Sequence, residues 1–277
     1  MPRVSIIMGI YNCVDTLAEA VDSILAQTYT DWELIMCDDA STDNGQTLAL
    51  AHNYEARDQR IIVITNSQNL GLAATLNHCL KHASGEFIAR MDGDDISLPT
   101  RIEEEVAFLD EHPEYALVSC AMINFDENGD WGIQRNIEKP EKRDFIYGTP
   151  FWHAPVLMRH TVLTDVGNYT VAPWLRRGQD YYLWHKFYVA GHKGYNMQKP
   201  LYKMRDDKNA TKRRTFMGRV NSMKAQYFVF NNLGIPKRYY WRILRHLAVF
   251  FIPRPIYVFL HKKNINSATT KQIHETH

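Results

Sequence analysis

The sequence predicts an α/β fold, a mostly parallel central sheet flanked by helices, and three observations carry that expectation. The chain has 277 residues, 45% apolar and 23% charged, ordinary values for a folded protein and enough length to bury a full α/β core. Over the first hundred residues, short apolar runs alternate with stretches of helical periodicity, the pattern of repeated βαβ units. Each run stops at a glycine or a polar step, as strands do where they leave a sheet.

Val4 to Met8, ended by Gly9, reads as the first strand, and Trp32 to Cys37, ended by Asp38-Asp39, as the second. Between them Leu17, Val21, Ile24 and Leu25 fall on one helical stripe, with Asp15 placed to cap its start. The unit then repeats: a helix near Gln46 to Glu55, a strand at Ile61 to Thr65, a helix from Leu72 to His82 and a strand at Glu86 to Met91. Pro99 is pre-set for an early helical position, and Ile102, Val106 and Leu109 form that helix's inner face. Tyr115 to Ile123 is a fifth apolar run, followed by the turn signal Asp126 to Gly129 that predicts a hairpin. Beyond it the pattern weakens to a strand at 153–158, a helix over Gln179 to Val189 and a strand from Gly194 to Met204 broken by Pro200.

A charge shift divides the chain more sharply than any loop. Residues 1–207 hold 18 Lys/Arg against 30 Asp/Glu, whereas 208–277 hold 14 against the single acid Glu275. The expected organisation is a folded unit over 1–205, in two halves (1–95 and 96–205), and a basic helical region over 206–277. So basic a tail suits an anionic partner, a nucleic acid or a membrane surface, unless it is simply a solvated helical face. Its longest apolar stretch, Leu247 to Ile252, is too short to cross a bilayer. The cysteines Cys13, Cys37, Cys79 and Cys120 form no C-x-x-C pair, which argues against a disulfide framework or zinc ribbon and for a reducing compartment. No basic segment followed by an apolar one opens the chain, so secretion is not expected.

In open α/β sheets ligands bind beyond the carboxyl ends of the strands. Here those ends are polar on all four strands: Gly9 to Asn12, Asp38-Asp39, Asn66 to Asn69 and Asp92-Gly93-Asp94-Asp95. Three carboxylates within four residues repel one another unless a cation neutralises them, and hard oxygen ligands with few positions suit Mg²⁺ or Mn²⁺. An acidic turn capping the next helix is the plain alternative. Tyr11 offers a face for stacking a base and Asp39 a carboxylate for a base or ribose. No G-x-G-x-x-G follows the first strand and no Walker loop occurs, which argues against a dehydrogenase or a nucleotidyltransferase and leaves phosphates to a metal. Asp180, where a loop enters a helix, suits a general base or a helix-start acid. His153 and Arg159 are further candidates.

Together these residues resemble family 2 glycosyltransferases, inverting enzymes of GT-A fold. The likeness covers residues 3–205 in six successive blocks: Val4 to Asn12, Ser23 to Thr28, Asp38 to Asp43, Asn69 to Ala73, Gly85 to Ala89 and Met91 to Asp95. The resemblance implies a nucleotide-diphospho-sugar donor, by family preference a UDP-sugar, with Tyr11 and Asp39 at the base and Asp92 and Asp94 at ribose and metal. It implies Asp94 or Asp95 as the protein ligand of Mn²⁺ or Mg²⁺, and Asp180 as the catalytic base, with Gln179 where the family commonly carries glutamate. The absence of Gln-x-x-Arg-Trp implies single-sugar transfer. The resemblance also implies that 1–205 is a catalytic unit whose first half (1–95) binds the nucleotide and whose second (96–205) binds the acceptor. More narrowly, the Gly148-Thr149-Pro150-Phe151-Trp152-His153 block and basic tail resemble bacterial exopolysaccharide and capsule transferases. That likeness implies a polyprenyl-diphosphate-linked glycan acceptor, His153 near substrate, and a cytoplasmic protein peripheral on the inner face of the cell membrane. No specific nucleic acid is expected. The other reading is a protein of this fold with a regulatory protein partner for its tail.

Overall fold

The computed structural model describes residues 1–176, 178–206 and 216–245. Its first half is the expected run: β1 (Val4–Ile10), α1 (Val14–Leu25), β2 (Trp32–Asp38), α2 (Gln46–Glu55), β3 (Ile61–Thr65), α3 (Leu72–Leu80) and β4 (Phe87–Asp92). There follow β5 (Ile96–Ser97), α4 (Arg101–Glu111), β6 (Leu117–Asp126), β7 (Gly129–Gln134), β8 (Leu157–Arg159) and α5 (His160–Asp165). The described chain ends with α6 (Gln179–Val189), β9 (Gly194–Arg205), α7 (Phe216–Asn232) and a 3-10 segment, Lys237–Leu244.

One sheet runs β3-β2-β1-β4-β8-β6-β9-β5, with β7 paired to β6. The strands β3, β2, β1 and β4 are parallel to one another, and β8 then lies antiparallel to both β4 and β6. The two-residue period of a strand sorts its side chains between two cores. Val4, Ile6, Met8 and Ile10 face α1, α2 and α4, while Ile7, with Ile35 and Ile88, faces α3 and α6. Val229 and Phe230 of α7 belong to this second core, buried beside Leu183 and Trp184 of α6.

Four details differ from the sequence reading, each for a local reason. Cys13 occupies the N-cap of α1 with no side-chain cap, and Asp15 sits inside the first turn, favoured there by the helix dipole. Leu25 is 37% exposed because Ala20, not Leu25, completes the buried stripe. The expected strand at 153–158 shrinks to β8, since Pro155 has no N–H to donate and residues 151–156 run as irregular chain. Pro200 does not break β9; the ladder with β6 slips between Cys120 and Met122, so Gln198 and Lys199 bulge and the strand resumes. The tail residues Lys212 to Arg214 and Leu247 to Leu260 lie outside the described residues.

Candidate active site

Strand register brings the polar ends to one level. Gly9 pairs with Cys37 on one side and Asp92 on the other, Ile10 pairs with Asp38, and Asp38 with Thr65. Tyr11, 44% exposed, therefore stands at the rim beside both acidic ends. Asn12, with a positive φ of 47°, locks this turn to the next one, its side chain receiving the Thr42 N–H at 2.7 Å and donating to Thr42 Oγ1 at 3.0 Å. An asparagine tolerates that backbone because its short amide bonds locally.

Asp39 is buried, and both of its oxygens serve the neighbouring loop. Oδ1 accepts from Asn66 Nδ2 and the Leu70 N–H, and Oδ2 from the Gly71 N–H, each at 2.8 Å. The residue holds the Asn66–Gly71 loop against the strand ends before any ligand arrives. Asn66 in turn meets His78 Nδ1 at 2.8 Å.

Asp92, Asp94 and Asp95 have carboxylate oxygens within 4.8 Å of one another, on the tight turn between β4 and β5. Asp95 is buried, and Oδ1 accepts the Arg205 N–H at 2.8 Å. Burial, then the charges of Asp92 and Asp94, pushes its carboxyl well above the usual range. A buried acid so destabilised as an anion, among oxygen donors only, is what a hard divalent cation relieves, so these residues fit Mg²⁺ or Mn²⁺.

Arg90 is a cation the sequence reading passed over. Its buried guanidinium, 3% exposed, forks onto both oxygens of Asp92. The signal was present: an arginine inside the apolar strand Phe87-Ile88-Ala89-Arg90-Met91, two residues before an aspartate and so on the same face. Tyr202 and Arg205, from β9, were likewise missed, because β9 reaches this turn only through its antiparallel pairing with β5. Tyr202 Oη receives the Asp92 N–H at 3.3 Å, and Arg205 Nε donates to the Asp94 carbonyl at 2.9 Å.

Asp180 lies in the first turn of α6, behind Gly178, whose φ of 115° a side chain rarely allows. Burial pushes its carboxyl up, while backbone N–H groups of the turn and the Arg90 charge oppose the rise. His153 Nε2 meets Tyr169 Oη at 2.8 Å, and burial followed by the Arg90 charge drives the imidazole well below its usual range, so it is neutral. Tyr169 is pinned by two bonds to Asn77, and its hydroxyl feels Arg90, Asp180 and Asp92 together. One half-buried neighbourhood thus joins the turn of acids, the histidine and the α6 acid. Arg159 does not join it. Antiparallel pairing puts Arg159 beside Phe87, at the far end of β4, where it donates to the carbonyls of Tyr115 and Leu109.

Comparison with known proteins fits this geometry. The chain is 44% identical over 265 residues to EpsE of Bacillus subtilis, a protein named as a glycosyltransferase, covering 95% of each. It is 32% identical over 197 residues to WfaP of Escherichia coli, named a UDP-Glc:alpha-D-GlcNAc-diphosphoundecaprenol beta-1,3-glucosyltransferase, covering 71% of this chain and 74% of WfaP. Among solved structures, a Pyrobaculum calidifontis mannosyltransferase in complex with GDP-Man and Mn²⁺ superposes with TM-score 0.61 at 19% identity, over 95% of this chain and 79% of that one. The fold, a curled and mostly parallel sheet with flanking helices, is GT-A. The profile of "Glycosyl transferase family 2" matches residues 5–167, the stretch from β1 through β8 that carries the strand-end acids, and the chain belongs to that family.

Proposed function

We propose that this protein is an inverting glycosyltransferase that moves a single sugar from a UDP-sugar to a hydroxyl of a polyprenyl-diphosphate-linked glycan, in the building of an exopolysaccharide or other surface polysaccharide. The observation that carries the reading is the single neighbourhood of two acidic groups with different work. The Asp92-Asp94-Asp95 turn suits a diphosphate with its cation, and Asp180 suits a hydroxyl proton. WfaP supports the donor and acceptor classes through its name, and EpsE supports the glycosyl-transfer class over nearly the whole chain.

Asp94 and Asp95 would hold Mn²⁺ or Mg²⁺, which when bound neutralises charge on the departing nucleoside diphosphate. The rest is work for this chain's own side chains. Tyr11 stacks on the base at the rim, and Asp39 keeps the Asn66–Gly71 loop closed behind it with three hydrogen bonds. Arg90 fixes Asp92 in one orientation toward the ribose, because a forked ion pair leaves the carboxylate no rotation. Asp180 takes the proton of the acceptor hydroxyl as its oxygen attacks the anomeric carbon, and attack from the face opposite the diphosphate inverts that centre. Neutral His153, oriented by Tyr169, offers a hydrogen bond to a sugar rather than a charge.

Position on a membrane follows from the same acceptor. Lys237, Arg238, Arg242 and Arg245 cluster with Trp241, 66% exposed, and Leu244, 55% exposed, in the last described segment. Such a surface suits the anionic inner face of the cell membrane. No helix among the described residues is long and apolar enough to cross it.

The decisive experiment is transfer by Asp180→Asn with a lipid-linked acceptor, read by product and by anomeric configuration. The expected result is loss of roughly 10²–10⁴-fold in kcat with UDP affinity retained, and an inverted product from the parent protein. Turnover near the parent level in the variant would remove Asp180 from the chemistry.

A further inference from the structure

Helix α7 is apolar on two faces: one is buried in the core, and the other meets the core at Met223 while leaving much of its apolar surface open. Ala225, Val229 and Phe230 pack inward against α6. On another face Phe216, Val220, Met223 and Tyr227 follow one another at helical spacing, and Phe216 and Tyr227 are 52% and 58% exposed. With Trp174 and Phe228 this stripe lines an apolar cleft of about 730 Å³, within the range of small-molecule sites. The cleft has one cationic residue in its wall, Lys224, on a helix that also carries Arg219 and has no acid.

Its place relative to Asp180 gives it meaning. Trp174 and Phe228, in its wall, both pack on the Tyr182 ring, at 5.6 and 5.4 Å between centroids, and Tyr182 is two residues beyond Asp180 on α6. A methyl group added at Gly178 would touch Ala225 at 3.9 Å, so α7 abuts the turn that delivers Asp180. An apolar cleft beside the acid turn, with a cation at its wall, complements an amphiphile that has an apolar chain and an anionic head.

We propose that this cleft holds the first isoprene units of the acceptor's lipid, with Lys224 facing its diphosphate, so that the glycan hydroxyl is presented to Asp180. The inference rests on the lipid-linked acceptor proposed above and adds the site that selects the lipid. It accounts for a helix whose apolar residues outnumber those its core contact requires. It also makes chain binding separable from donor binding, because the acids of the β4–β5 turn take no part in lining the cleft.

The test uses the full chain with saturating UDP and Mn²⁺, titrated with farnesyl diphosphate or with inorganic pyrophosphate, and read by tryptophan fluorescence and by calorimetry. Farnesyl diphosphate is expected to bind at least tenfold more tightly than pyrophosphate. Val220→Glu and Met223→Glu should each weaken it tenfold or more, with UDP affinity within twofold of the parent as the check that both variants fold. Equal affinity for the two probes, or unchanged farnesyl diphosphate binding in both variants, would overturn the proposal. A photoreactive residue at position 223 supplies the alternatives. Cross-links to residues 246–277 or to a second copy that farnesyl diphosphate does not displace would overturn it, as would complete competition by anionic vesicles free of lipid diphosphate. Farnesyl diphosphate binding without UDP binding would support the cleft and sink the donor reading instead.

Discussion

The base role proposed for Asp180 and its effect on stability can be separated. Its carboxyl is raised by burial, so the folded protein holds the proton to a higher pH than the unfolded chain does. That contribution is most favourable below the ordinary aspartate range, and it falls as pH climbs through the raised folded value. Above that value the poorly solvated anion is a net cost. Asp180→Asn is therefore expected to lose transfer to the extent given above and yet to melt at a higher temperature than the parent at pH 7.5, the gap closing as the buffer is acidified toward pH 4. Parallel scans across that range check it; a variant less stable at every pH contradicts the assignment. Arg90 predicts the opposite behaviour. Arg90→Met leaves Asp92 without its counter-ion next to Asp94 and Asp95, and removing one partner of a buried pair costs about 3–5 kcal/mol. Asp92 keeps 31% of its side chain open to water, which brings the expected loss nearer to about 2 kcal/mol. Urea melts of the UDP-free protein measure it, and added Mn²⁺ should recover part of the loss by neutralising the same acids.

Elements decide which of these residues meet, and there the limits of the sequence are plain. The four strands β3, β2, β1 and β4 and the helices between them are legible because burial on both faces writes each strand as a continuous apolar run, and each helix as a stripe. Their polar ends could be assigned to one edge because parallel strands joined by helices all finish on the same side. The β4–β5 turn reads less completely. Asp92, Asp94 and Asp95 stand together in the chain, but Tyr202 and Arg205 arrive more than a hundred residues later through a two-residue strand with no periodicity of its own. His153 shows the reverse: its stretch looks like strand, and Pro155 turns it into the irregular chain that carries the imidazole to Tyr169. Asp39 is a third case. Its residue type suggests a ligand contact, but the structure commits it to three donors of the loop before α3. Asp39→Ala would strand two backbone N–H groups and leave the Asn66 amide with Thr75 as its acceptor, and is expected to cost about 2 kcal/mol and to raise the donor KM tenfold or more with a smaller effect on kcat. A fall in kcat with KM unchanged would argue that the loop does not shape the donor site.

At the scale of the whole molecule, the charge is divided along the chain in a way that would keep the two anionic partners proposed above from competing. The acids concentrate before residue 208 and include the turn whose three carboxylates could hold a cation, whereas the bases concentrate after it. A uniformly basic protein would draw nucleotide and membrane to the same surface. On the function proposed above, the acidic body would need a bound cation before it accepts a diphosphate, while the basic segment would attract anionic lipid directly. Lys237 and Arg238 test that division because they are exposed and remote from the strand-end acids in sequence and packing, Arg238 stacking on Tyr239 at 5.0 Å. Each basic residue near an anionic surface contributes roughly 1 kcal/mol. Reversing both in Lys237→Glu/Arg238→Glu should lower affinity for vesicles containing phosphatidylglycerol by a factor on the order of 10² or more in flotation at 50 mM salt. Raising the salt to 0.5 M should bring parent and variant together as the charges are screened. UDP affinity in Mn²⁺ should not change in the variant. Loss of both binding activities together would mean that the tail supports the acidic body rather than anchoring it, and equal flotation of parent and variant at low salt would remove the membrane from the account of the basic segment.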